Sequence, residues 1–208
     1  MKIFVVQIFI YIFAFDNLIF KHMNLIKYYD LLVNGYDRQS GILSDLPGMH
    51  YPIILDGEKI KDLESFIVEL RDGVYRPFHM CPGYANAVSE ELKCLLESYS
   101  EPGSIEFLPI KVISRQYGDR TYYILHFTKI FDVIDKENTI YIKETGSILK
   151  PALDYEKVKT LHVFNYQPIG NDVIISEVVR KAMKKNKLDL GLDLSPVYCF
   201  IKDEAENF

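Results

Sequence analysis

Apolar runs as long as a β-strand follow one another through the middle of the chain, with only short connections between them. The runs cover residues 105–113, 121–127 and 129–135, and the shorter segment 139–143 extends the series. They are rich in Ile, Val, Tyr and Phe, which favour strands. Because parallel neighbours need a long crossover whereas antiparallel neighbours do not, the pattern predicts antiparallel pairing.

Two helices are predicted, each beginning at a Ser-Glu pair and each followed by a strand. Ser89 can cap the first helix, and Glu90 and Glu91 lie where negative charge suits the helix dipole. Residues 173–200 repeat this order, with the second helix beginning at Ser176. We therefore expect an α+β fold in which a mostly antiparallel sheet is flanked by two or more helices.

The N-terminal part of the chain differs in character from the rest. Residues 1–22 form an apolar leader whose run from Ile3 to Phe15 is too short to cross a bilayer. We favour a true start at Met23, the alternatives being an added strand or an amphipathic anchor. Residues 23–86 contain many Gly turn pairs and predict a strand- and turn-rich subdomain. Residues 87–208 are then the C-terminal α+β domain.

Charge and cysteine content restrict the partners and the compartment. The formal net charge is -5, which repels nucleic acid and membrane phosphates and mildly attracts basic proteins. Cys81, Cys94 and Cys199 form no CxxC pair, which is typical of a reducing cytoplasm, and we interpret all three as buried. The histidines lack metal-ligand spacing, so we expect no metal and no cofactor.

One group of residues could carry chemistry. A hairpin formed by residues 121–135 could bring His126 near Asp132 and Asp135, which would suit a small hydrolase or nuclease-like enzyme. The alternative is that His126 is a half-buried strand residue and that the aspartates mark a strand end and a turn. We favour the alternative and expect no catalytic residues, since no nucleophile elbow, Walker loop or dinucleotide fingerprint occurs.

The order of several segments carries more information than any single site. The segments are AVSEELKCLLES, IEFLPIKV, TYYILHFTKIFDVID, HVFNY and VIISEVVRKAM. Together they resemble a family of bacterial immunity proteins encoded beside polymorphic toxins. The resemblance implies an antitoxin that binds a cognate protein toxin, such as a nuclease, and blocks it without catalysis.

Overall fold

The fold is known from a computed structural model, which describes residues 26–37, 39, 41–44, 57, 66–81, 85–167 and 172–200. Strands hold 44% of these residues and helices 16%. The strands are β1 (Ile26–Val33), β2 (Ile42–Ser44), β3 (Phe66–Arg71), β4 (Phe78–Cys81), β5 (Ala85–Val88), β6 (Ile105–Ile113), β7 (Arg120–Phe127), β8 (Ile140–Tyr141), β9 (Ile148–Lys150), β10 (Ala152–Asp154), β11 (Val163–Phe164), β12 (Ile174–Ser176) and β13 (Leu192–Phe200). The helices are α1 (Glu90–Tyr99), α2 (Tyr155–Val158) and α3 (Glu177–Lys185).

The predicted α+β fold, with a mostly antiparallel sheet flanked by two or more helices, is wrong. The described chain is mostly β, with curled, barrel-like sheets and three short helices. Its strands form a six-stranded sheet, a five-stranded sheet and a separate two-stranded hairpin. The expectation failed because a periodic sequence pattern locates strands but does not say how many sheets they form or how strongly those sheets curl.

The six-stranded sheet runs in the order β2-β3-β6-β7-β5-β4, and its two end strands approach each other. The amide of Gly41 donates to the carbonyl of Val74 at 3.0 Å, and the His79 ring lies 3.0 Å from the carbonyl of Gly41. Every strand contributes to a buried cluster inside this curl, which contains Leu43, Val68, Leu70, Cys81, Ala85, Ala87, Ile110, Val112, Tyr122 and Ile124. The sheet is therefore filled by its own side chains, as in a small barrel.

The five-stranded sheet runs in the order β10-β13-β1-β12-β11 and is covered on both faces. Tyr29 and Leu31 of its central strand lie in one core, and Tyr28, which directly precedes Tyr29, lies in another. Successive strand residues point to opposite faces. Burial on both faces explains why the neighbouring Tyr28 and Tyr29 are both buried.

The largest core joins the two sheets through α1 and α3. Leu92 and Leu96 of α1 and Val179 and Met183 of α3 are fully buried in it, beside residues of β1, β7 and β12. The predicted cap is confirmed for α1, where the Ser89 hydroxyl accepts from the amide of Leu92 at 3.3 Å. The second helix also begins where expected, but the Ser176 hydroxyl bonds Nδ1 of His162 instead of capping it.

Most predicted strands are confirmed, but one is wrong. Residues 105–113 and 121–127 lie in β6 and β7, whereas residues 129–135 contain only a single bridge, from Ile134 to Leu153. They cannot pair with β7 because β5 and β6 occupy its two edges. The burial predicted for the cysteines is confirmed for Cys81 and Cys199 and wrong for Cys94, which is exposed on α1.

The predicted leader, residues 1–22, lies outside the described residues. The predicted boundary between residues 86 and 87 falls within β5 (Ala85–Val88), and the division into subdomains stays a prediction.

Closure of the six-stranded sheet depends on an uncharged His79, which predicts a pH effect. Nε2 accepts from the amide of Arg76 at 2.9 Å, so Nδ1 carries the proton that is donated to Gly41. Burial lowers the pKa of His79 from 6.5 to about 4. Below pH 6.5 the unfolded chain binds a proton at His79 that the folded chain does not bind. The free energy of unfolding therefore decreases as the pH is lowered from 6.5 to about 4. The full loss is about 3 kcal/mol.

Urea unfolding of wild type and His79→Asn across this pH range measures the effect. The variant is less stable throughout but does not titrate, so the stability difference between the two proteins shrinks by about 3 kcal/mol as the pH falls. Burial and the nearby Asp172 raise the pKa of Asp30 to about 7, and the subtraction cancels that contribution. Parallel stability curves would contradict the assignment of a neutral His79.

Because the two end strands of the sheet meet at Gly41, we expect any side chain at this position to destabilise the fold. A Cβ there would lie 2.3 Å from Cδ1 of the buried Leu70 and 2.7 Å from the carbonyl oxygen of Asp72. Gly41→Ala should therefore lower the free energy of unfolding by about 1–3 kcal/mol. Gly35→Ala is the matched control, since nothing lies within 4 Å of that Cβ. Equal free energies of unfolding for the two variants would show that the residues around Gly41 can shift to make room for a methyl group.

Candidate functional site

The three residues considered as an alternative catalytic group occupy three different settings. His126 is fully buried on β7, with Nε2 3.6 Å from Oε1 of Glu106 on β6. The Asp132 side chain is 82% exposed and forms a 3.0 Å ion pair with Lys157. Asp135 is buried in a turn. The hairpin expected to unite them does not form, because both edges of β7 are occupied by other strands.

The electrostatic environment of Asp132 does not resemble that of a general acid. The Lys157 ammonium lowers the pKa of Asp132, whereas a general acid at neutral pH needs a raised pKa. In the part of the chain that the structure describes, no group of three or more His, Cys, Asp or Glu side chains could hold a metal ion. The exposed Asp132 therefore does not share one polar site with the fully buried His126.

The hairpin of β8 and β9 presents a dense group of exposed apolar side chains. Ile140 is 51% exposed, Tyr141 38%, Ile142 37% and Leu149 64%. The other large exposed apolar residues of the described chain are spread along it, at positions such as Tyr36, Val178 and Leu190. Single exposed apolar residues are ordinary, but a contiguous group marks an interaction surface. We call residues 140–150 the apolar hairpin.

The pairing of the apolar hairpin places apolar side chains on both of its faces. Ile140 pairs with Lys150 and Tyr141 with Ile148, so Leu149 is an extra residue in β9. Such a bulge bends a strand and redirects a side chain. Ile140 and Ile142 alternate with Tyr141 and so point to the opposite face. The hairpin is thus apolar on two sides, unlike a strand that packs on one core.

The base of the apolar hairpin is held firmly to the body of the protein. The buried Thr139 hydroxyl accepts from the amide of Ala152 at 3.0 Å and lies 3.3 Å from its carbonyl oxygen. The amide of Asp135 also donates to Ala152, at 2.9 Å. Ala152 belongs to β10, which pairs with β13 in the five-stranded sheet.

Asp135 fixes the turn that leads into the hairpin. Its carboxylate accepts from the amide of Glu137 at 3.0 Å and from the side-chain amide of Asn138 at 2.8 Å. Asp135, a member of the alternative catalytic group, is therefore a structural support of the exposed hairpin. A rigid base keeps the ordering cost of binding low, because folding has already ordered the site.

The outer wall of the barrel carries a second candidate site. A shallow depression of about 500 Å³ is lined by residues of β3, β6 and β7 and by Asp119. Its charged groups already have partners: Lys111 pairs with Asp119 at 2.9 Å, and Arg120 lies over the Tyr75 ring. Paired charges offer a ligand little new interaction, so the apolar hairpin is the stronger candidate site.

In the sequence, the hairpin is marked only by the short apolar segment 139–143. What singles it out is exposure, and exposure depends on which surfaces pack together. One signal was present in the sequence, because TIYIK is apolar yet bounded by charged and turn-forming residues on both sides.

Comparison with known protein families identifies what kind of chain this is. Residues 75–198 match the Immunity protein family (Imm11), over more than half of the chain. The chain belongs to this family. The resemblance inferred from sequence is thereby confirmed, and the match includes the whole apolar hairpin.

No curated protein matches the chain. Among the residues that the structure describes, none of the helices has the length and apolar character needed to cross a membrane.

The anchoring of the hairpin predicts a stability cost at Thr139. Thr139→Val keeps the side-chain shape but leaves the buried amide of Ala152 without the hydroxyl that it bonds. The free energy of unfolding should fall by about 1–3 kcal/mol, measured by urea titration. Thr121→Val, on an exposed position of β7, is the matched control and should change stability by no more than about 0.5 kcal/mol. Equal values for both variants would mean that Thr139 does not anchor the hairpin.

Proposed function

We propose that this protein is an antitoxin that binds a cognate polymorphic toxin domain in the cytoplasm and neutralises it by protein–protein contact alone. The observation that carries the proposal is membership of the immunity family over residues 75–198. The apolar hairpin supports it, since a preordered apolar surface is suited to tight protein binding.

The charge of the chain favours a basic toxin, such as one that cleaves nucleic acid. The formal net charge is -5, and a protein that binds nucleic acid phosphates usually carries the opposite sign. Attraction between the two would raise the association rate, and added salt would lower it. Non-catalytic inhibition requires no residue of this chain to change a bond, which agrees with the separate settings of His126, Asp132 and Asp135.

Co-expression with the toxin encoded beside this chain tests the proposal. The toxin alone should stop bacterial growth, and the wild-type chain should restore it. A purified, catalytically inactive toxin domain should bind the chain, with an association rate that falls as salt rises. Failure of the wild-type chain both to bind and to rescue would overturn the proposal.

A variant of Asp132 separates binding from catalysis in the same assay. Asp132→Ala removes an exposed carboxylate whose only described ion pair is with Lys157. It should restore growth as well as wild type, because inhibition by binding needs no acid or base there. Loss of rescue without loss of toxin binding would instead support a catalytic role.

A further inference from the structure

We propose that the apolar hairpin, residues 140–150, is the surface that enters a cleft of the toxin domain. This inference rests on the proposed function and adds the place of contact and the shape of the partner. Three properties of the hairpin support it: its apolar area, the distribution of that area over two faces, and its local charge.

The apolar area is too small for a stable symmetric dimer. The exposed fractions of Ile140, Tyr141, Ile142 and Leu149 amount to roughly 400 Å² of side-chain surface, about half of what one partner contributes to a standard interface. Two copies meeting hairpin to hairpin would bury roughly 800 Å² in total, which is the size of a crystal contact. The occupant must therefore be a larger surface than a second hairpin.

The distribution of the apolar groups indicates a concave partner. Ile140 and Ile142 lie on the face opposite to Tyr141. A flat partner could cover only one of these faces and would leave the other in water. A cleft encloses both faces, and its walls add contacts with the polar residues between positions 143 and 147.

Local charge indicates which groups line the rim of that cleft. Residues 136–150 contain three lysines and two glutamates, so this part is slightly cationic although the whole chain has a net charge of -5. The Lys150 ammonium lies 4.2 Å from the centre of the Tyr198 ring, beside the hairpin. Lys150 belongs to none of the ion pairs found among the described residues. Carboxylates at the rim of the toxin cleft would complement Lys143 and Lys150.

The experiment measures the affinity of the full chain for the purified, inactive domain of the toxin encoded beside it. The triple variant Ile140→Thr, Ile142→Thr, Leu149→Thr keeps strand-forming residues but removes the apolar surface. Isothermal titration should show at least a 100-fold weaker Kd, because central apolar anchors dominate protein interfaces. The melting temperature should stay within a few degrees of wild type, since these side chains are exposed.

The matched control is the double variant Val178→Thr, Leu190→Thr. These residues are 50% and 51% exposed, so they are as accessible as Ile140 but lie outside the hairpin. Their Kd should stay within threefold of wild type. A triple variant that binds as tightly as this control would overturn the hairpin assignment and leave the proposed function standing, whereas a wild-type chain that does not bind would overturn both.

Two further measurements complete the test. The first needs only the wild-type chain, and the second tests whether a second copy of the chain occupies the hairpin. Hydrogen–deuterium exchange of the wild-type chain should slow across residues 140–150 when the toxin domain is added, and unchanged exchange there would overturn the inference. Light scattering should find the same mass for wild type and triple variant without toxin. A wild-type dimer that the triple substitution converts to monomers would mean that a second copy occupies the hairpin instead.

Discussion

The pairing of β1 with β13 joins the beginning of the described chain to its end. All eight residues of β1 are in register with β13, from Ile26 opposite Cys199 to Val33 opposite Leu192. Because side chains of β1 alternate between two cores, this one strand contributes to the packing of both α1 and α3 on one face and of α2 on the other. Removing the pairing would expose two cores at once.

The position of the apolar hairpin depends on the same sheet. β10 pairs with β13 in parallel, and the backbone of Ala152 in β10 donates to the Thr139 hydroxyl and accepts from the amide of Asp135, which holds the base of the hairpin. The path from β1 through β13 to the hairpin consists of backbone hydrogen bonds and buried side chains. A hairpin of two short strands is only marginally stable by itself, so its order depends on this support.

Local features of the fold could be predicted from the sequence because their causes are local. The cap of Ser89 on α1 involves residues three apart, and the strands β6 and β7 follow from runs of apolar residues. Sheet assignment has no such local cause: β7 could pair with residues 129–135 by sequence, yet β5 and β6 take both of its edges. Curling of the six-stranded sheet depends on the contact between Gly41 and His79, which are 38 residues apart.

The candidate site shows the same division between local and distant causes. The sequence indicates that Asp135 marks a strand end or a turn. Residues 129–135 form no strand, but the bonds of Asp135 to Glu137 and Asn138 hold a turn. The apolar residues of the hairpin resemble core residues in sequence. Only the packing of all other strands reveals that no core is left for them within the described chain.

An exposed apolar hairpin carries a risk of aggregation that its construction limits. Open strand edges pair readily with other chains, and proteins reduce this risk with short strands, bulges and lysines. β8 and β9 contain two and three residues, a bulge falls at Leu149, and Lys143 and Lys150 flank the apolar groups. These features disfavour non-specific pairing with strands of other chains, and they leave the side chains accessible to a partner of matching shape. The hairpin is therefore built for binding through side chains in a cleft and not for extending a sheet.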